Sequence, residues 1–256
     1  MTPFNPETVF EKKSPVNYSA LGAKGQLKIG AVLNLLQDTA AEHASLLGIS
    51  GFDLAVKGLA WVIAKYRIDL FSTPSWLEEL TIATWRSPWK NLYDLRDFQV
   101  TGQNRENIVT ATAGWVMVKK SNNRPVRLNR HLAPDLMTPC DHEGKRGDPF
   151  HDIEKIETTH VQLPFKIRME DLDLNRHVNN TVYVGWALET VTEEILENFR
   201  PCRIDVVFHK AAFYGDGVLS KTEIKKEKSS FLTLHSIRLE QSDKELATIN
   251  ITWTPF

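Results

Sequence analysis

The sequence predicts an α+β fold made of two tandem units. Each is a long helix wrapped by an antiparallel sheet, and the two sheets run on as one. Three observations predict it. Two stretches space their apolar residues by threes and fours, as a helix with one apolar face does. After each, the spacing drops to two, the period of a strand. The order of strand, helix and about four strands then occurs twice, which points to internal duplication.

The first helix is expected over Ile29–Leu47, with Ile29, Val32, Leu33, Leu36, Ala40, Ala44 and Leu47 on one stripe, Gly30 at its start and Gly48 just past its end. The second is expected over Thr181–Glu197, where Val184, Leu188, Val191 and Ile195 share a face and Pro201 follows. In Leu59–Phe71 the alternation assigns Val62, Ala64, Tyr66, Ile68 and Leu70 to a buried strand face. Further strands are expected at Glu79–Trp85, Asp94–Thr101 and Val109–Val118 in the first half. In the second half they fall at Arg203–His209, Val218–Lys225, Phe231–Leu239 and Leu246–Trp253. Short strands at Val16–Ala20 and Val161–Ile167 precede the helices. The tripeptide Arg67-Ile68-Asp69 recurs as Arg203-Ile204-Asp205, a weak echo of duplication. Ser121–Glu157, rich in Pro, His, Asn, Asp and Gly, reads as the connection. The expected division is a first unit at 1–130, a linker at 131–158 and a second unit at 159–256. A helix and a meander each bury an apolar face by packing together, and two such units can pair edge to edge.

Composition removes several function classes. With 31 basic against 32 acidic residues there is no surplus charge for neutralising phosphates, so no nucleic acid partner is expected. Apolar runs such as Leu59–Ala64 are far short of the ~20 residues a membrane helix needs, so no membrane span is expected. The opening MTPFNPETVFEKK has no apolar signal core, and a cytoplasmic location is the expectation. Cys140 and Cys202, with no CxxC, make neither a disulfide framework nor a zinc site and are expected to be free thiols. Neither GxGxxG, Walker A nor HExxH occurs, so no cofactor and no metal are implied.

Chemistry-bearing residues crowd one place, Glu170-Asp171-Leu172-Asp173-Leu174-Asn175-Arg176-His177-Val178-Asn179-Asn180-Thr181. Asp171, Asp173 and Asn175 fit the first positions of a calcium loop, but Arg176 replaces its glycine and Val182 its closing glutamate, so calcium is excluded. Helix capping accounts for Asn179 and Asn180 as well as chemistry does. It accounts less well for Asp173, Asn175 and His177, which lie too far upstream. Their alternate spacing would put three side chains on one side of an extended loop aimed at a helix N-terminus, where unpaired N–H groups and the helix dipole favour negative charge.

The stretch Asp173-Leu-Asn175-Arg-His177-Val-Asn179-Asn180-x-x-Tyr183-x-x-Trp186-x-Leu188-Glu189 resembles the signature of the acyl-ACP thioesterases. Gly58-Leu-Ala-Trp61-Val62, Pro74-x-Trp76 and Trp115-Val-Met-Val118 before Arg124-Pro-Val-Arg127 extend the resemblance over about Val16 to Trp253. It implies a double hotdog fold, two tandem hotdog units in one continuous sheet. It also implies hydrolysis of fatty acyl-acyl carrier protein to free fatty acid and carrier protein, with Asp173, Asn175 and His177 catalytic. The implied partner is acyl carrier protein with its acyl-phosphopantetheine arm; a homodimer is left open.

Thioester hydrolysis needs little general acid, because the leaving thiol has a pKa near ~8.5. It needs an activated water or a carboxylate nucleophile, plus oxyanion donors. Asp173 can attack directly or deprotonate water, and both remain open. Asn175 would orient, and His177 would hold water or stabilise the intermediate. The backbone N–H groups of Val178, Asn179 and Asn180 are the oxyanion-hole candidates. One departure stands out. Where the family often has an acidic residue after the second helix, this chain has Ala211-Ala212.

Lys119, Lys120, Arg124, Arg127 and Arg130 form a basic cluster, either a solvated loop or a docking patch for acidic carrier protein. His43 and Glu42 on the first helix are expected to be packing or surface residues, Glu189 a solvated one. Gly48-Ile-Ser50-Gly51 lacks the spacing of a nucleophile elbow. The acyl-chain pocket is expected in the first unit, near Trp61 and Ile63. The rival functions are an acyl-CoA thioesterase and a non-catalytic acyl-chain binding protein.

Overall fold

The computed structural model describes residues 9–138, 140 and 148–256. The N-terminal stretch read for a targeting signal falls largely, and the expected linker partly, outside the described residues. The chain divides into two compact units, Met1–Ala64 with Leu70–Pro149, and Lys65–Asp69 with Phe150–Phe256.

The first unit contains β1 (Val9–Pro15), α1 (Ile29–Leu46), α2 (Gly51–Ala55), most of β2 (Leu59–Leu70), β3 (Glu79–Trp89), β4 (Tyr93–Thr101) and β5 (Asn107–Lys119). Its strands lie in the order β1-β3-β4-β5-β2. The predicted stripe of α1 is its buried face: Ile29, Val32, Leu33, Leu36, Ala40 and Ala44 are all buried, and the helix packs on β3. Ala44, Ile49, Leu54, Leu59, Met117 and Leu128 form a core cluster, against which Trp61 packs while its indole N–H donates to Ile49 O. The sequence reading missed α2. Ser50 starts it with a reciprocal cap: the Ser50 hydroxyl accepts from Asp53 N–H and the Asp53 carboxylate accepts from Ser50 N–H.

The second unit contains β6 (Val161–Lys166), α3 (Asn180–Leu188), α4 (Glu193–Asn198), β7 (Phe199–Phe208), β8 (Gly217–Glu227), β9 (Ser230–Leu239) and β10 (Glu245–Pro255). Its order is β7-β10-β9-β8-β6, and α3 packs on β8, β9 and β10. Residues Lys65–Asp69 of β2 pair antiparallel with β7 inside this second unit.

The repeated tripeptide meets itself in that pairing. Arg67 lies opposite Asp205, Ile68 opposite Ile204 and Asp69 opposite Arg203. Antiparallel pairing reverses one copy, so the basic end of each faces the acidic end of the other. Arg203 Nε is 2.6 Å from Asp69 Oδ1, and Arg67 Nε is 3.9 Å from Asp205 Oδ1.

Three expectations need correction. Val16–Ala20 is not a strand: the strand ends at Pro15, and Tyr18–Ala20 is a 3-10 turn closed by Ala20 N–H to Asn17 O. In β2 the buried residues are Leu59, Ala60, Ile63, Tyr66 and Ile68, while Val62 is 37% exposed. A three-residue step between Ile63 and Tyr66 shifts the phase where the strand passes from one unit's pairing to the other's. Thr181–Glu197 is not one helix but α3 and α4, broken around Thr190. There the Thr190 hydroxyl donates back to Ala187 O at 2.7 Å, and a buried chain of partners holds it in place.

That chain has one consistent direction. The Trp253 indole N–H can only donate, and reaches Thr233 Oγ1 at 3.0 Å. Thr233 Oγ1 is 2.8 Å from His235 Nε2, His235 Nδ1 is 2.7 Å from Thr222 Oγ1, and Thr222 Oγ1 is 2.5 Å from Thr190 Oγ1. At the far end, Ala187 C=O can only accept. The protons therefore run from Trp253 to Ala187, and His235 is a neutral ring carrying its hydrogen on Nδ1. Burial alone pushes its pKa down to about 3.

Candidate active site

A 3-10 turn at Met169–Asp171 leads into an isolated antiparallel bridge between Leu172 and Val178. The five residues between them are not an extended loop, as the alternate spacing had suggested, but a tight reversal. Asp173 N–H donates to His177 O at 2.7 Å and Arg176 N–H to Asp173 O at 2.9 Å, with Arg176 at φ +61°. The cause is the aspartate itself. Its Oδ1 accepts from Asn175 N–H at 2.8 Å and from His177 N–H at 3.0 Å, the side-chain-to-backbone bonding that lets Asp build turns. Asp173, Asn175 and His177 are thus brought together through the Asp173 carboxylate and the backbones of the other two. Among the described residues no hydrogen bond joins the three side chains, and Asp173 Oδ2 accepts none. A carboxylate with one oxygen fixed and the other unused is oriented to act on a reactant.

The next three residues separate by role. Asn179 is the N-cap of α3: its Oδ1 accepts from Thr181 N–H at 3.1 Å. Its own N–H donates to Asp171 O at 2.7 Å, and Val178 N–H donates to Ala212 O at 3.0 Å. Two of the three oxyanion-hole candidates, Val178 and Asn179, are therefore corrected, because their donors are already spent. Asn180 opens α3, where backbone N–H groups have no partner within the helix. Its side-chain Oδ1 is buried and has no partner among the described residues.

Sequence reasoning marked the connection after β7 only for its missing acid, not for its contacts. Ala212 accepts from Val178 N–H and donates its own N–H to Tyr183 Oη at 3.2 Å. Within the Ala211-Ala212 pair that stands where the family often has an acid, Ala212 therefore supplies a backbone staple onto the first turn of α3. Tyr183 is 3% exposed, ringed edge-on by Trp186 and Phe208. Burial pushes its pKa up to about 12; the bond from Ala212 works the other way, while the Asp173 and Asp216 carboxylates add to the rise. The His177 ring meets Phe213 edge-on, with centroids 5.2 Å apart. No local spacing announces these contacts, because residues 212 and 213 lie far along the chain from the motif they touch.

In the first unit, Lys119, Lys120, Arg124 and Arg127 are exposed along one tight return. There Lys119 N–H donates to Arg124 O and Val118 bridges Pro125. His43 is buried, stacked on Phe10, with Nδ1 2.9 Å from Arg96 Nη1. Glu42 pairs with Lys12 at the surface, and Glu189 is exposed past the end of α3. Among the described residues neither Cys140 nor Cys202 forms a disulfide.

Two family models match the chain: the acyl-ACP thioesterase N-terminal domain over residues 7–135 and its C-terminal domain over residues 154–255. The chain is 26% identical over 279 residues to the chloroplastic oleoyl-acyl carrier protein thioesterase 2 of Arabidopsis thaliana, covering 95% of this chain and 76% of the relative. It is 28% identical over 269 residues to a chloroplastic palmitoyl-acyl carrier protein thioesterase of Gossypium hirsutum. That match covers 96% of this chain and 64% of the relative, so the chain spans less than two thirds of the latter protein. Among solved structures, the 12:0-ACP thioesterase from Umbellularia californica superimposes with a TM-score of 0.85 at 20% identity, covering 97% of this chain and 94% of the other.

Proposed function

The chain belongs to the acyl-ACP thioesterase family, and from that premise we propose that it hydrolyses the thioester of fatty acyl-acyl carrier protein to fatty acid and carrier-protein thiol. The observation that supports this most directly is the Asp173 carboxylate, tied by two backbone N–H groups with its second oxygen unused. That oxygen either takes a proton from the attacking water or itself attacks the carbonyl carbon, with water then cleaving the anhydride formed. Asn175 orients the reactant, and His177 holds water or steadies the tetrahedral intermediate. The N–H of Asn180, at the positive end of α3, receives the developing oxyanion. When the intermediate collapses, the C–S bond breaks and the sulfur leaves as thiolate, which is protonated from solvent.

Single-turnover hydrolysis of acyl-acyl carrier protein in 18O-labelled water tests both the activity and the two routes. Label in Asp173 shows direct attack with water cleaving the anhydride at the Asp173 carbon. Label in the fatty acid alone is common to general-base catalysis and to cleavage at the acyl carbon, and trapping the anhydride with hydroxylamine separates those two. Absence of turnover over a range of chain lengths would sink the proposal.

The same reading makes the exposed return at Lys119, Lys120, Arg124 and Arg127 the docking place for the acidic carrier protein. Reversing these four charges should raise KM for acyl-acyl carrier protein by about tenfold or more while moving KM for acyl-CoA much less. Equal effects on both substrates would remove the docking role.

A further inference from the structure

Phe213 is one of the larger apolar side chains that the fold does not bury: it is 49% exposed, yet its ring is held against His177. A half-exposed phenyl ring contributes little to a core. Its placement is nevertheless constrained from several sides. Phe213 N–H donates to Asp216 Oδ2 at 3.0 Å, and Asp216 N–H returns a bond to Phe213 O at 3.1 Å. This closes a turn that Gly215 completes at φ +91°. Asp216 O accepts in turn from Ile167 N–H, and the preceding residue, Ala212, is bonded on both sides to the start of α3 through Val178 and Tyr183. The connection after β7 is therefore a braced arm with an aromatic ring at its end, and the ring meets the imidazole.

We propose that Phe213, set by the Asp216 turn, is a positioning residue for His177. It fixes the orientation of the imidazole in a loop whose other contacts fix only its backbone. The Asp173 carboxylate holds the His177 N–H and the Asp173 N–H holds the His177 carbonyl, but among the described residues no hydrogen bond holds the ring. An edge-on aromatic contact restricts the ring at the cost of neither nitrogen, so both remain available to water or substrate. This rests on the hydrolase reading for its kinetic consequence but not for its structural one.

Two measurements on the whole chain separate them. The first is nitrogen-detected imidazole NMR of the substrate-free protein, with the His177 signals identified by their loss in His177→Gln. The second is steady-state hydrolysis of acyl-acyl carrier protein. Phe213→Leu should move the His177 ring resonances and lower kcat by about tenfold with KM within about twofold, the mark of a misplaced group and not a lost binding contact. Phe213→Tyr should restore both readouts. Asp216→Ala should resemble Phe213→Leu, and Asp216→Asn, which keeps an acceptor, should resemble wild type. Unmoved His177 resonances in both Phe213→Leu and Asp216→Ala would overturn the proposal, as would a change confined to KM. Moved resonances without turnover in any variant, wild type included, would uphold the positioning and refute the hydrolase reading.

Discussion

The loop that leads into α3 has a twin before α1. In the first unit Leu21 bridges Leu27, as Leu172 bridges Val178 in the second, and five residues separate each pair. Gly22 N–H donates to Gln26 O at 2.7 Å where Asp173 N–H donates to His177 O; Gly25 N–H donates to Gly22 O where Arg176 N–H donates to Asp173 O. Lys28 N–H donates to Ala20 O where Asn179 N–H donates to Asp171 O, and the fourth residue of each loop has positive φ. The backbone is repeated and the chemistry is not. Gly22, Lys24 and Gln26 stand where Asp173, Asn175 and His177 do. The turn is braced from opposite sides: in the first loop the Gln26 side chain accepts from Lys24 N–H, and in the second the Asp173 carboxylate accepts from Asn175 N–H. A Cβ on Gly22 would lie 2.9 Å from Gln26 Nε2, so the glutamine occupies the room an aspartate would use. The loop is thus a stable turn in its own right. The carboxylate is one of two ways to close it, and the one that leaves an oxygen without a hydrogen bond among the described residues.

The sharpest test of that contrast is Asp173→Asn. The amide oxygen still accepts from the backbone, so the turn and the circular dichroism spectrum should persist while kcat falls by about a thousandfold or more. A rate within threefold of wild type, a barrier change under ~1 kcal/mol, would make Asp173 as structural as Gln26.

The interiors beneath the loops also differ: His43 receives a guanidinium N–H, whereas His235 is surrounded by neutral partners. The folded state keeps His235 uncharged down to about pH 3, while the unfolded ring protonates near 6.5. Between these values the unfolded chain binds the extra proton. Stability from this group is therefore complete above about 6.5 and is lost by up to ~1.4 kcal/mol per unit as pH falls. Urea titrations of wild type and His235→Gln should show the pH slope weakened in the variant.

Converting the first loop with Gly22→Asp, Lys24→Asn and Gln26→His should be tolerated, with the new carboxylate taking over the N–H that Gln26 releases. Placed in Asp173→Asn, it should restore no turnover, because Val32 stands where Tyr183 supports the second loop. Hydrolysis recovered in that background would show that the five residues suffice.

Asn179→Ala should cost about 1 kcal/mol in thermal unfolding through loss of the α3 cap. Lys28→Ala should cost less, since the Lys28 side chain makes no bond to the N-terminal N–H groups of α1. The positive-φ positions of the two loops should respond in opposite ways. Gly25→Arg should destabilise by about 1 kcal/mol, and Arg176→Gly should leave stability within ~1 kcal/mol of wild type.

What could be read from residues alone follows the range of the interactions involved. The α1 stripe was legible because burial on one face imposes a local period, whereas in β2 the alternation was legible but its phase before Tyr66 was not. The Asp-x-Asn-x-His spacing was legible as a motif, but its shape was not, because alternate residues suggest extended chain until the Asp173 side chain is allowed to bond its own loop. The break at Thr190 was invisible for a different reason. Its hydroxyl is held by Thr222 and His235, on strands that follow later in the chain. The Val178, Ala212 and Tyr183 contacts have the same long reach. The Arg-Ile-Asp repeat was visible as an echo, but not as a strand pair matched to itself.

Ice keeps residual entropy because each of its hydrogen bonds can point either way. In the row from Trp253 through Thr233, His235, Thr222 and Thr190 to Ala187 the direction is set from one end, where a carbonyl can only accept. Counted back from Ala187, the single hydrogens of Thr190 and Thr222 are spent in turn, which leaves His235 Nδ1 to donate. The most deeply buried imidazole of the second unit is thus barred from acid–base work, and the direction of its hydrogens instead ties the bend between α3 and α4 to the sheet beneath it.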